Sequence, residues 1–312
     1  MRRSSHLFLT AFAITLSLGL PGALTSQELK LLPGEVLPKL ENVEVKVNLS
    51  LDASGIYKYA YKITNPASNT GEIWLAGIDI TKPAGSIDLT SEGITNGPRF
   101  LRHSSELILS TIEVPLVSVG LFSPANWTSG ITVRGTAGWG SSDAASRIHP
   151  GQSLGGFEVI SRGLPGIRSA TLEPFFRQTP VDEATPENTE RLKAIEKAIE
   201  VTLKTVGPTA PPKDFVPIEF LNYLITLLHD SRKLGWIKVE GIHKSLLAKL
   251  LEAKRALEKG QSRIAKNTLN AFLNEVRAVS CQEFSCPGNK PLTSEAYALL
   301  FFNGQFLWER LS

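Results

Sequence analysis

Tyr57-Lys58-Tyr59-Ala60-Tyr61-Lys62-Ile63-Thr64 alternates with a period of two, so Tyr57, Tyr59, Tyr61 and Ile63 share one face of a strand and Lys58, Ala60, Lys62 and Thr64 the other. An alternating run must bury one face, and here the aromatic face is the core face. The run closes at Asn65-Pro66, and Asn69-Thr70-Gly71 gives a second turn before the apolar stretch Glu72-Ile73-Trp74-Leu75-Ala76 continues to Ile80. Further strands are expected over 43–51, 106–112, 131–139, 154–162 and 167–175, each bounded by Gly, Pro, Asn or Ser. About seven short strands with no helical pattern between them point to an all-β sandwich of two antiparallel sheets over residues 26–179.

Upstream of the strands, Arg2 and Arg3 precede an uncharged apolar run from Leu7 to Leu20, and small residues follow at 23–25. That arrangement predicts a secretory signal peptide over residues 1–25 and a secreted or periplasmic mature protein. The 33 basic and 30 acidic residues leave a net charge of +3, and the leader holds two of the cations. A near-neutral mature chain lacks the basic surface that phosphate backbones demand, which argues against nucleic acid as a partner. No later stretch is long and apolar enough to span a bilayer as a helix. In an oxidising compartment, Cys281 and Cys286 are expected to form one local disulfide.

Past residue 180 the pattern changes. Residues 180–186 are rich in Pro, Thr and acidic side chains and read as a linker, with Thr185-Pro186 as the N-cap and first position of a helix. Leu192, Ile195, Ile199 and Val206 then place a first helix up to about residue 205, ended by Gly207-Pro208. Four more amphipathic helices are expected over 217–234, 242–259, 263–279 and 294–311, with Gly235 and Gly260 as stops. Residues 187–312 thus read as an all-α helical bundle.

Within it, Leu234-Gly235-Trp236-Ile237 with Gly241-Ile242, Leu246 through Gly260, Ala265 with Leu269 and Phe272, and Leu292-Thr293-Ser294-Glu295-Ala296-Tyr297 resemble the FIMAH domain of exported bacterial proteins, over residues 217–311. The resemblance implies a helical accessory module with no catalytic residues to carry over. The segment from Cys281 to Pro287 departs from the pattern as an insertion.

Chemistry is harder to find. No two of the five histidines are four apart on one expected helix, as a zinc protease requires. His229 and His243 read as solvated or helix-end residues. Gly151-Gln152-Ser153-Leu154-Gly155 has the form of a nucleophile elbow but leads into a strand, without the strand-to-helix turn that an elbow needs. Asp79, Asp88 and Asp143 are too scattered for a calcium cage. No catalytic residue, metal site or cofactor is expected.

Trp127 and Trp139 stand among Gly, Ser, Pro and Asn. They are the candidate ligand-binding residues, either as a loop-borne platform for polysaccharide or as plugs of the sandwich core with bonded indole N–H groups. The functional expectation is an exported, non-catalytic binding or spacer protein whose partner is a polysaccharide or another cell-envelope component. The alternative is a polysaccharide hydrolase or lyase with an unrecognised carboxylate pair.

Overall fold

A computed structural model describes residues 29–80, 120–131, 135–179, 185–284 and 289–311. The expected leader, the strand expected over 106–112, Asp88 and Cys286 lie outside these residues, and with Cys286 the pairing of Cys281. Among the described residues, nine strands and five α-helices follow in the order β1 (Glu44–Leu51), β2 (Tyr57–Thr64), β3 (Ile73–Asp79), β4 (Gly120–Phe122), β5 (Thr128–Ile131), β6 (Thr136–Gly140), β7 (Ser153–Ser161), β8 (Leu164–Pro174), α1 (Pro186–Ile199), β9 (Val201–Thr209), α2 (Pro217–Lys233), α3 (Glu240–Glu258), α4 (Ser262–Val279) and α5 (Ser294–Arg310). The described part of the chain is α+β.

All strand pairings are antiparallel, in one sheet of order β1-β2-β7-β4 and another of order β5-β6-β3-β8-β9. The tyrosine face of β2 turns inward as the alternation requires, with Tyr59 and Tyr61 0% and 1% exposed. Their hydroxyls donate to the carbonyls of Gly163 and Val206, at 2.7 and 3.0 Å, so a wholly buried phenol leaves no polar atom unpaired. Burial pushes the Tyr61 hydroxyl far above the usual phenol range. Tyr61 and Phe157 of the first sheet meet Trp139 of the second at 6.2 and 5.8 Å between ring centroids, which packs the sheets face to face.

Two expectations need correction. Thr185 does cap α1, its hydroxyl accepting from Asn188 N at 3.2 Å, but the helix stops at Ile199 instead of continuing to about 205. From Val201 to Thr209 the chain is a strand paired with β8, in a register running from Leu172↔Val201 to Leu164↔Thr209. Val201, Thr202, Thr205, Val206 and Thr209 are all β-branched, which favours a pleated surface, and Pro208 is tolerated because β9 is an edge strand. Val206, placed on the helix face by its spacing, is therefore a strand residue. Nor does the 180–186 segment separate an all-β domain from an all-α one. The helix α1 is interposed between the last two strands of one sheet, and the change to helices comes after Thr209.

Helix α1 is held from outside the sheet by Phe176, Leu29 and Leu37 packed around Leu192, Ile195 and Ile199. An ion pair closes this small core. Arg191 Nη1 lies 2.6 Å from Glu35 Oε2, with side chains 6% and 0% exposed. Glu35 also accepts from Leu32 N at 2.8 Å and Thr179 N at 3.1 Å. Burial alone would raise the Glu35 carboxyl, but the Leu32 N–H and the guanidinium outweigh it and hold it below the ordinary carboxylate range.

Helices α2, α3 and α4 are joined by short connections, and Gly235 and Gly260 end α2 and α3 with φ of 75° and 70°, left-handed backbone suited to glycine. Helix α5 differs from the rest. Ala298, Leu299, Leu300, Phe301, Phe302, Asn303 and Gly304 are consecutive and all buried, so it is covered on every side. The bundle lies on one flank and the sandwich on the other. Phe302 meets Tyr57 edge-on at 5.8 Å, Asn303 Nδ2 donates to Pro165 O at 2.8 Å, and Glu295 Oε1 accepts from Val47 N of the edge strand β1 at 3.2 Å. Sandwich and bundle thereby share one hydrophobic core.

Candidate functional site

The two expected ligand-binding residues are brought together, but inside the protein. Trp127 is 5% and Trp139 2% exposed. Trp127 Nε1 donates to Ser146 O at 2.9 Å and Trp139 Nε1 to Phe122 O at 2.8 Å. Both rings meet Phe157 edge-on, at 5.0 and 5.8 Å. The plug reading holds, and a platform of these two rings is overturned. The glycines beside them, Gly130, Gly138 and Gly140, are strand residues of β5 and β6, with Gly130 opposite Gly138 and Gly140 opposite Thr128.

A different aromatic group remains partly open to solvent. Ile73 exchanges two backbone hydrogen bonds of 3.0 Å with Ile148, which brings Arg147 and His149 alongside Glu72 and Trp74. Phe175 N donates to Glu72 O at 2.7 Å and adds the next ring. The Arg147 guanidinium lies 3.5 Å above the Phe175 ring, and Trp74 meets that ring edge-on at 6.3 Å. Glu72 bridges the polar partners, with Oε2 3.1 Å from Arg147 Nη1 and Oε1 3.2 Å from His149 Nδ1. Arg147 Nε has no hydrogen-bond partner. Glu72 and His149 are each about one-third exposed, at 35% and 34%.

The surface thus joins two aromatic rings to a carboxylate, an imidazole and a guanidinium, which together offer apolar contact and both senses of hydrogen bond. Glu173, two residues before Phe175, has its carboxyl raised by burial and then by Glu200, which caps the end of α1, and Glu196 within it. Sequence reasoning missed this group because Trp74 sits in an apolar run, and Arg147, His149 and Phe175 reach it from two distant segments.

The remaining expectations fall as follows. Ser153 lies on β7 and shares a 2.8 Å hydrogen bond with Thr64 Oγ1, in no elbow. Asp143 caps a 3₁₀ turn at Ala144–Ser146, and the Ser146 hydroxyl and Ala145 N–H hold its carboxyl low. Among the described residues no group of three His, Cys, Asp or Glu is placed to hold a metal ion, and no helix is long and apolar enough to cross a membrane. His229 and His243 lie near the facing ends of α2 and α3, as the helix-end reading has it, but they face each other and His243 is buried, so it is not solvated.

No family model matches the chain, and no curated protein matches it. Among solved structures, an uncharacterized protein from Nocardia farcinica with an immunoglobulin-like fold aligns with 54% of this chain and 98% of its own, at 11% identity and a TM-score of 0.26.

Proposed function

We propose that the protein is an exported, non-catalytic binding protein of the bacterial envelope or extracellular space, and that polysaccharide is its partner. The observation that carries the reading is the partly exposed group of Trp74, Phe175, Glu72 and His149, backed by the largely buried Arg147, at one end of the β3–β8 pair. Aromatic rings stack on the C–H faces of sugars, and planar charged groups at the rim bond their hydroxyls. Fusion of the helices to the sandwich through α5 suits a rigid accessory unit, in keeping with the FIMAH-like pattern of residues 217–311.

The test is retention of the full chain on a panel of insoluble polysaccharides. Trp74→Ala and Glu72→Gln should each weaken retention about tenfold, the loss of roughly 1.4 kcal/mol of contact, while circular dichroism stays that of the wild type. A wild-type chain retained by none of the panel overturns the reading. One observation favours a second reading, a hydrolase or lyase: Glu173 has the raised carboxyl that a general acid needs, with Glu196 and Glu200 near it. Release of reducing sugar by the wild type, abolished in Glu173→Gln, would establish it.

A further inference from the structure

Helices α2 and α3 run back from the 234–239 connection, and each contributes one imidazole to the contact between them. His243 Nε2 lies 3.3 Å from His229 Nδ1, with the ring centroids 5.2 Å apart. His243 is 9% exposed, and its other nitrogen, Nδ1, is buried with no hydrogen-bond partner among the described residues. While both rings are neutral the arrangement is sound. One nitrogen of the facing pair donates, the other accepts, and the bare Nδ1 of His243 is only an unused acceptor.

A proton on His243 changes every part of this. Nδ1–H becomes a buried donor with nothing to bond, which is costly. If His229 is also protonated, two N–H groups and two positive charges confront each other at the 3.3 Å contact. The charged groups acting on His243 are His229 and Arg232 from α2 and Glu240 and Lys244 from its own helix. Only Glu240 would welcome the charge, and its carboxylate is already engaged by Arg232 at 3.1 Å and Lys244 at 3.8 Å.

We propose that this imidazole pair, with His243 buried and His229 half-buried, is an acid-sensitive latch on the α2–α3 hairpin, shut while both rings are neutral and released when His243 must take up a proton. Burial first, and then His229, hold the His243 imidazole below its ordinary value of 6.5. The unfolded hairpin therefore binds the proton before the folded one does. The latch contributes fully above pH 6.5, and its contribution falls as the pH drops from there toward the lowered value. The far end of α2 does not share the effect, because Phe220 is packed on Phe306 of α5, 5.0 Å away. The release is confined to the turn end of the hairpin.

Hydrogen exchange of the full chain tests this between pH 7.5 and 5.5, after correction for intrinsic rates. Amides of residues 229–246 should lose protection steeply below pH 6.5, toward about tenfold per pH unit, while those of β2 and β7 hold theirs. The His243 ring resonance should titrate below 6.5. In His243→Gln, an amide that can still bond His229, the pH dependence should disappear, and in His229→Gln it should shrink. Equal protection at both pH values, a His243 resonance titrating at or above 6.5, or unchanged pH dependence in a folded His243→Gln protein would each overturn the latch. Should His243→Gln fail to fold, the wild-type exchange and titration still decide.

Discussion

The chain has two places where its halves might part, and they contrast. At 180–186 the composition breaks sharply, yet the strand that follows α1 returns to the sheet beside β8. Between α5 and the sandwich the sequence shows no signal, yet there Phe302, Asn303 and Glu295 join the C-terminal helix to β1, β2 and the start of β8. A shift in composition records where the chain changes its local chemistry, whereas the end of a folding unit is set by where apolar surface stops being shared.

The largest effect should come from cutting at these two places. The intact chain should unfold in one calorimetric transition, and truncation after residue 293, which deletes α5, should abolish cooperative unfolding of the sandwich as well as the bundle. Two well-separated transitions in the intact protein would restore the modular view.

Next in size is Trp139→Ala, which empties a core site and strands the Phe122 carbonyl, at a cost of about 3 to 5 kcal/mol in denaturant titrations. Trp74→Ala, at the half-open surface, should cost clearly less. Equal costs would mean that the two aromatic groups do the same work.

The seam itself is probed by Glu295→Ala, which leaves Val47 N–H of the edge strand without its acceptor and should destabilise by about 1 to 3 kcal/mol. Glu295→Gln keeps a carbonyl oxygen there and should recover most of it. A neutral Glu295→Ala would show that apolar packing alone makes the joint.

Much of this architecture is legible in the residues. Tyr57 to Ile63 announce a strand because one-sided burial writes itself as alternation, and helices α2 to α4 announce themselves by stripes that end at Gly235 and Gly260. Val201 to Thr209 misleads because Ile195, Ile199 and Val206 are also compatible with helical spacing. The density of β-branched residues was the available signal for a strand, and pairing with β8 settles it. Helix α5, expected to be amphipathic, is instead buried on every side over Ala298 to Gly304, the mark of a central helix, and the sequence does not say what lies on its second flank. The candidate surface was illegible for another reason. Glu72, Arg147 and Phe175 become neighbours only through the Ile73–Ile148 bridge and the Phe175–Glu72 hydrogen bond, and no local pattern encodes such a meeting.

The bond between Val47 and Glu295 also constrains time. These residues are 248 positions apart, so the first strand is made long before the helix that covers its edge. Until the last helix arrives, β1 presents unpaired N–H groups that another chain can use. Contacts this distant in sequence make for slow folding, because a long loop must close before they form. A cell producing this protein must keep β1 out of reach of other chains until α5 has emerged, so a holding chaperone is expected to raise its yield more than a faster rate of synthesis would.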